Sequence, residues 1–128
     1  MTKTASYFLP ALIWGLIIFL IISLPSSALP PTEKLRIPHF DKIVHFVMYA
    51  VLGALILLGY GKFSRNTYTN AKQLIISLST GITYGIITEF LQHCCFPDRH
   101  GNIYDVLANS FGTVFGVFLV VVLFKTNK

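Results

Sequence analysis

Four apolar stretches follow one another in a chain of 128 residues, each near the roughly 20 residues that a helix needs to cross bilayer hydrocarbon. They run roughly from Ser6 to Leu24, Asp41 to Tyr60, Lys72 to His93 and Ile103 to Phe124. Together they take up about 80 residues, so what remains is connecting loop and a second domain does not fit. The runs are too long for strands and lack the period-two alternation of a membrane barrel. The expected fold is all-α: a polytopic membrane four-helix bundle, with residues 1–128 as a single domain. Composition agrees, with 54% hydrophobic and 12% charged residues, where a soluble domain carries about 25% charged. A globule this small exposes too much of itself to be soluble with a mean hydropathy of +0.68.

The net charge is +5. In a soluble protein that balance would suggest nucleic acid, but there is no basic run interleaved with aromatics, so nucleic acid is not an expected partner. Lys and Arg are read instead as loop charges that orient the helices. With four spans, the N-terminus, the loop 61–71 and the C-terminus share one side. That side carries Lys3, Lys62, Arg65, Lys72, Lys125 and Lys128 and no acid. The other side carries Lys34, Arg36, Lys42 and Arg99 against Glu33, Asp41, Asp98 and Asp105. The excess predicts that both termini are cytoplasmic. Lys3, the stretch from Tyr7 to Leu24 and the small residues Ser26-Ser27-Ala28 have the outline of a cleavable signal. The stretch is long enough to span, and the expectation is an uncleaved first helix ended by Pro25. The loop 25–40, with Pro25, Pro30, Pro31 and Pro38, is expected to be extended or interfacial.

Polar groups inside such spans are the informative exceptions. Asp41, His45 and Tyr49 recur at i, i+4, i+8 on one face of the second helix, with Lys42 beside them. Glu89 and Gln92 share a face of the third. Asp105 and Asn109 share a face of the fourth, where Asn102 reads as the N-cap and Asp105 lies in the first turn. All lie within about two turns of the non-cytoplasmic helix ends, whereas stretches such as Leu55 to Leu58 and Val117 to Phe124 are apolar. Bundling the helices would bring these groups to one shallow polar pocket, with Arg99 above it. Gly81 and Gly85, and Gly112 and Gly116, have the small-xxx-small spacing of close helix packing.

His93, Cys94, Cys95 and His100 do not have the spacing of a structural zinc site. Neither a metal nor a cofactor is expected. Cys94 and Cys95, as neighbours, are poor disulfide partners. They read as interfacial or acylated residues.

In order along the chain, these residues resemble the VanZ-like family of small integral membrane proteins. Asp41-Lys42-Ile43-Val44-His45-Phe46 matches its Asp-Lys-x-x-His helix opening, followed by Tyr49 and Leu52-Gly53. Tyr84-Gly85 through Glu89 and Gln92 matches Tyr-Gly-x-x-x-Glu-x-x-Gln. Arg99, Asp105, Asn109, Gly112 and Gly116 fill the positions of the last motif. Asn102 stands where Ser is frequent and still caps. The resemblance covers residues 41–116 and implies a four-helix protein of the bacterial inner (plasma) membrane. The founding member is associated with lowered sensitivity to the glycopeptide teicoplanin, but no residue here names an antibiotic contact.

The functional expectation is a site for an amphipathic molecule, a membrane lipid or a lipid-linked envelope precursor. His45 and Glu89 would exchange a proton, with Asp105 or Asp41 orienting His45. Lys42 and Arg99 would hold a phosphate or carboxylate. Asp41, Tyr49, Gln92 and Asn109 would line the polar head. The competing expectation is a non-catalytic membrane module acting through a protein partner, its polar residues fixing the packing. A proton or ion path is disfavoured, because the polar groups are expected to stop halfway across.

Overall fold

A computed structural model describes residues 3–28, 39–64, 68–96 and 101–125. They form α1 (Lys3–Ser23), a 3-10 turn (Ser26–Ala28), α2 (Phe40–Ser64), α3 (Ala71–Cys95) and α4 (Ile103–Lys125). There is no strand among the described residues. All four helices are long and apolar enough to cross a membrane. The observed class is the all-helical bundle that the four apolar runs predict.

The ends differ from expectation by up to about a turn. α2 continues past Tyr60 to Ser64, where Ser64 Oγ donates back to the Tyr60 carbonyl and Gln73 Nε2 donates to Ser64 Oγ, tying α2 to α3. α3 begins behind Asn70, whose side chain accepts from Lys72 N at 3.0 Å, a cap that leaves fewer orphan N–H groups in the first turn. Asn102 does the same for α4, accepting from Tyr104 N at 3.0 Å. α1 runs through Pro10.

α2 is the centre of the bundle: 44% of its span is buried, against 17% for α1. Its most extensive neighbour is α4. A Cβ added to Gly112 would strike the Phe46 carbonyl, one on Gly116 the Ala50 carbonyl, and one on Gly53 would lie 2.6 Å from the Thr113 carbonyl. On α3, a Cβ at Gly81 would lie 2.5 Å from Thr113 Cγ2 and one at Gly85 3.0 Å from Asn109 Cβ. α1 closes one side. There Trp14 Nε1 donates to the Met48 carbonyl at 2.9 Å and Tyr84 OH to the Gly15 carbonyl at 2.7 Å.

The interior is unusual in what it hides. Ile18, Tyr49, Leu52, Ile56 and Leu57 are buried, but so are His45, Ser77, Glu89, Asp105, Asn109 and Thr113. Leu12, Ile75, Phe90, Phe111 and Phe118 are exposed. Hydrocarbon is the solvent that makes such a surface favourable. One expectation is corrected here. The polar groups do not stop halfway, because the buried face of α3 also carries Gln73 and Ser77 at its opposite end.

Candidate functional site

The site forms where the first turns of α2 and α4 meet the last turns of α3. Asp41 lies in the first turn of α2 and Asp105 in the first turn of α4, where the helix dipole favours a carboxylate. Lys42 Nζ lies 2.9 Å from Asp105 Oδ1 and 3.7 Å from Asp41 Oδ2. The Asp105 side chain is only 8% exposed, and Lys42 is the cation beside it.

One turn deeper, His45 bridges two helices. Its Nδ1 lies 3.0 Å from Asn109 Oδ1 on α4, and its Nε2 lies 3.8 Å from Asp41 Oδ1. Asn109 is 1% exposed. With Nδ1–H donating to the amide oxygen, Nε2 is the nitrogen left to give or take a proton.

Glu89 reaches the cluster from α3. Its Oε1 accepts from the Asn102 backbone N–H at 2.6 Å, which ties the end of α3 to the start of α4. His45, Asp41 and Asp105 are near enough to act on its charge. Its Oε2 is buried and has no hydrogen-bond partner, and neither has Asn109 Nδ2. Gly101 permits this tie: a Cβ there would lie 2.9 Å from the Glu89 carbonyl and 2.8 Å from His93 Cβ.

Tyr49 is almost wholly buried, and its hydroxyl meets Thr88 Oγ1 at 2.5 Å. Thr88 Oγ1 donates to the Gly85 carbonyl at 3.0 Å, so the Tyr49 O–H is the donor to Thr88. The phenol is thereby engaged inside the bundle. Gln92 is buried on the same face of α3 as Glu89. Arg99, and His100 with it, lie outside the described residues. Cys94 and Cys95 are free thiols on the exposed face of α3.

The structure therefore brings Asp41, Lys42, His45, Asp105 and Asn109 into one cluster and sets Glu89 at its edge. Asp41, His45 and Asp105 each offer a ligand atom, all within 4.8 Å of one another. They are the residues that could take a cation, and the Lys42 ammonium already provides positive charge there. A half-open cavity among the described residues lies elsewhere. It has about 600 Å³ and an apolar lining that includes Ala11, Gly15, Leu52, Ile56, Thr80 and Tyr84 of α1, α2 and α3.

Sequence reading singled out neither Thr88 nor Thr113. Thr is a common filler of membrane helices, and only its partner across the bundle gives it meaning. Gly53 and Gly101 were visible as glycines, but nothing in a single sequence says which backbone they approach.

A protein-family model described as VanZ/LLP1 matches residues 5–125. No curated protein and no solved structure gives a match.

Proposed function

The chain belongs to the VanZ/LLP1 family of membrane proteins, and from the geometry of its polar cluster we propose that it binds the polar head of an amphipathic cell-envelope molecule. The molecule would be a membrane lipid or lipid-linked precursor with an anionic group, and the site would face away from the cytoplasm. One observation carries the reading. Glu89 Oε2 and Asn109 Nδ2 are buried without partners beside a charged cluster at one end of the bundle. A buried acceptor and a buried donor each lose about 1–3 kcal/mol when unpaired, and a hydroxyl- and phosphate-bearing head offers both complements.

In this reading Arg99 supplies positive charge for the anionic group, and Lys42, paired with Asp105 and Asp41, donates to it only as a hydrogen-bonding ammonium. Asn109 and Gln92 meet polar groups of the head. His45 Nε2 is the proton-handling atom and Glu89 the carboxylate able to exchange that proton. Asp41 and Asp105 hold Lys42 and His45 in place. Tyr49 acts from behind, through Thr88. The hydrocarbon tail remains in the bilayer against the apolar outer faces of the helices.

A second reading also has support. The Lys42–Asp105 and Tyr49–Thr88 pairs satisfy each other inside the bundle, as they would if the polar residues only fixed the packing of a module that works through a protein partner. Native mass spectrometry of protein purified from membranes separates the two. Wild type is compared with Glu89→Gln and Arg99→Ala, each first checked for an unchanged melting temperature. A specific envelope lipid held by wild type and lost from both variants is expected. The same bulk phospholipid on all three would sink the ligand reading in favour of the packing module.

A further inference from the structure

The polar cluster is short of positive charge for an anionic guest. Three acidic side chains, Asp41, Asp105 and Glu89, stand against one ammonium, Lys42, which is already paired with both aspartates. Even with Arg99 there is more acid than base. A phosphate brought here is repelled unless a further cation stands between.

The ring of His45 marks where that cation would lie. Asn109 Oδ1 can only accept, so His45 Nδ1 donates to it. In the neutral ring Nε2 is then an acceptor. It meets a second acceptor, Asp41 Oδ1, at 3.8 Å. That separation is too long for a hydrogen bond, so a proton on Nε2 would not join the two. It is close to the spacing that a metal requires. Two ligand atoms each about 2.1 Å from a tetrahedral ion lie about 3.4 Å apart. Asp105 offers the third atom, and one atom each from Asp41, His45 and Asp105 lie within 4.8 Å of one another. Asp41 is half-exposed in the first turn of α2 and can rotate to close the remaining distance. Lys42 Nζ lies against Asp41 Oδ2, not against the Oδ1 that faces His45.

Glu89 is an independent pointer to the same place. It is 5% exposed, and its Oε2 has no hydrogen-bond partner. Oε1 is fixed by the Asn102 N–H, so the carboxylate is oriented and has one oxygen left over. The charged groups near enough to act on it are His45, Asp105 and Asp41, the same three residues. The bond from His45 Nδ1 to Asn109 is also the outer contact that metal-binding imidazoles commonly make, fixing the tautomer.

We propose that Asp41, His45 and Asp105 bind a divalent metal ion, with Glu89 as a further carboxylate, and that the ion bridges to the anionic head. One imidazole among carboxylates suits Mn2+, Fe2+ or Zn2+ better than Ca2+. Three protein ligands leave positions open for phosphate oxygens. The part-exposed Lys42 then turns from Asp105 to the head. The bridging role rests on the ligand reading, and the ion site does not. The spacing of His93, Cys94, Cys95 and His100 has no bearing on this set, which comes from α2 and α4.

The test titrates the purified chain in detergent, stripped with EDTA and without added lipid, with MnCl2, and reads free Mn2+ by its EPR signal. Wild type is expected to take up a single Mn2+ per chain, and spin-echo modulation from an imidazole nitrogen should mark the bound ion. Asp41→Asn, on an exposed side chain, should weaken binding at least about tenfold. His45→Ala and Asp105→Asn should abolish it. Lys42→Met, which removes a competing cation, should tighten it severalfold. His93→Ala, an exposed histidine outside the cluster, should bind as wild type. No saturable uptake by wild type overturns the proposal, and so does undiminished affinity in Asp41→Asn or a bound ion without nitrogen modulation. If His45→Ala or Asp105→Asn does not fold, Asp41→Asn and the wild-type nitrogen signal decide. Native mass spectrometry with and without EDTA then tests the bridge. An envelope lipid lost with the ion supports it. A lipid held after chelation overturns the bridge and leaves the ligand reading intact, whereas an ion bound with no envelope lipid supports the site and sinks the ligand reading.

Discussion

Tyr49 has one hydroxyl, and Thr88 determines how it is used. Because Thr88 Oγ1 donates to the Gly85 carbonyl, it must accept from Tyr49. Thr88→Val would leave the phenol buried with no acceptor, at a cost of about 1–2 kcal/mol. Tyr49→Phe removes the donor together with its need and should cost less. The double variant should be no worse than Thr88→Val alone, as read by thermal unfolding in detergent. Strictly additive losses would show that the two hydroxyls do not interact. Lys42 presents the same asymmetry with charge. Lys42→Met would leave Asp105 nearly buried without its ammonium and should destabilise by about 2–3 kcal/mol, less than a fully buried pair because Lys42 is partly exposed. Lys42→Met combined with Asp105→Leu should recover part of that loss. At this scale the sequence exposes half of each interaction. Charged and aromatic residues at i, i+4 spacing in an apolar run are conspicuous, so Asp41, His45, Tyr49 and Glu89 could be picked out. Their partners Thr88 and the Asn102 backbone N–H could not, because a Thr or an N–H gains its role only from a residue far away in the chain.

Among the helices, the α2–α4 contact depends on the absence of side chains. Gly112 and Gly116 lie against the Phe46 and Ala50 carbonyls, with no room for a methyl. Gly116→Ala should push the helices apart and cost about 1–3 kcal/mol. Gly15 offers the contrast. A Cβ there would meet nothing closer than the Tyr84 hydroxyl at 3.9 Å, an ordinary contact. Gly15→Ala should be neutral, or stabilising by up to about 1 kcal/mol through helix propensity. Steric-trap unfolding in bicelles would compare the two, and equal effects would refute the close crossing. The four helices themselves were readable because hydrocarbon thickness sets their length. Their ends were less so: α2 runs on to Ser64 because Gln73 and Ser64 bond across the turn, a contact between two residues of ordinary loop character. The polar face of α3 is only half legible in the sequence. Gln73 and Ser77 are uncharged, so although they continue the i, i+4 line of Glu89 they do not stand out in an apolar run as a carboxylate does.

For the whole molecule, the uneven grip on its helices matters. α1 is the least buried span, and two side-chain hydrogen bonds to helix carbonyls, from Trp14 and Tyr84, accompany its apolar contacts. The ends of the bundle also differ in charge. The side holding Lys62 and Lys72 carries basic residues without an acid, whereas Asp41 and Asp105 neutralise Lys42 at the other. Positive charge in short loops is retained on the cytoplasmic side during insertion. By count, six Lys and Arg lie on the side of the termini and four on the other. Both termini should therefore lie in the cytoplasm, which places the His45 cluster toward the outer leaflet. A C-terminal green fluorescent protein fusion should fluoresce, and a C-terminal alkaline phosphatase fusion should be inactive. Replacing Lys62, Arg65 and Lys72 together with Gln should weaken that preference and give a mixed population. An active phosphatase on the wild-type chain would invert the bundle. The cluster would then face the cytoplasm, and an envelope precursor presented on the outer leaflet could not be its ligand.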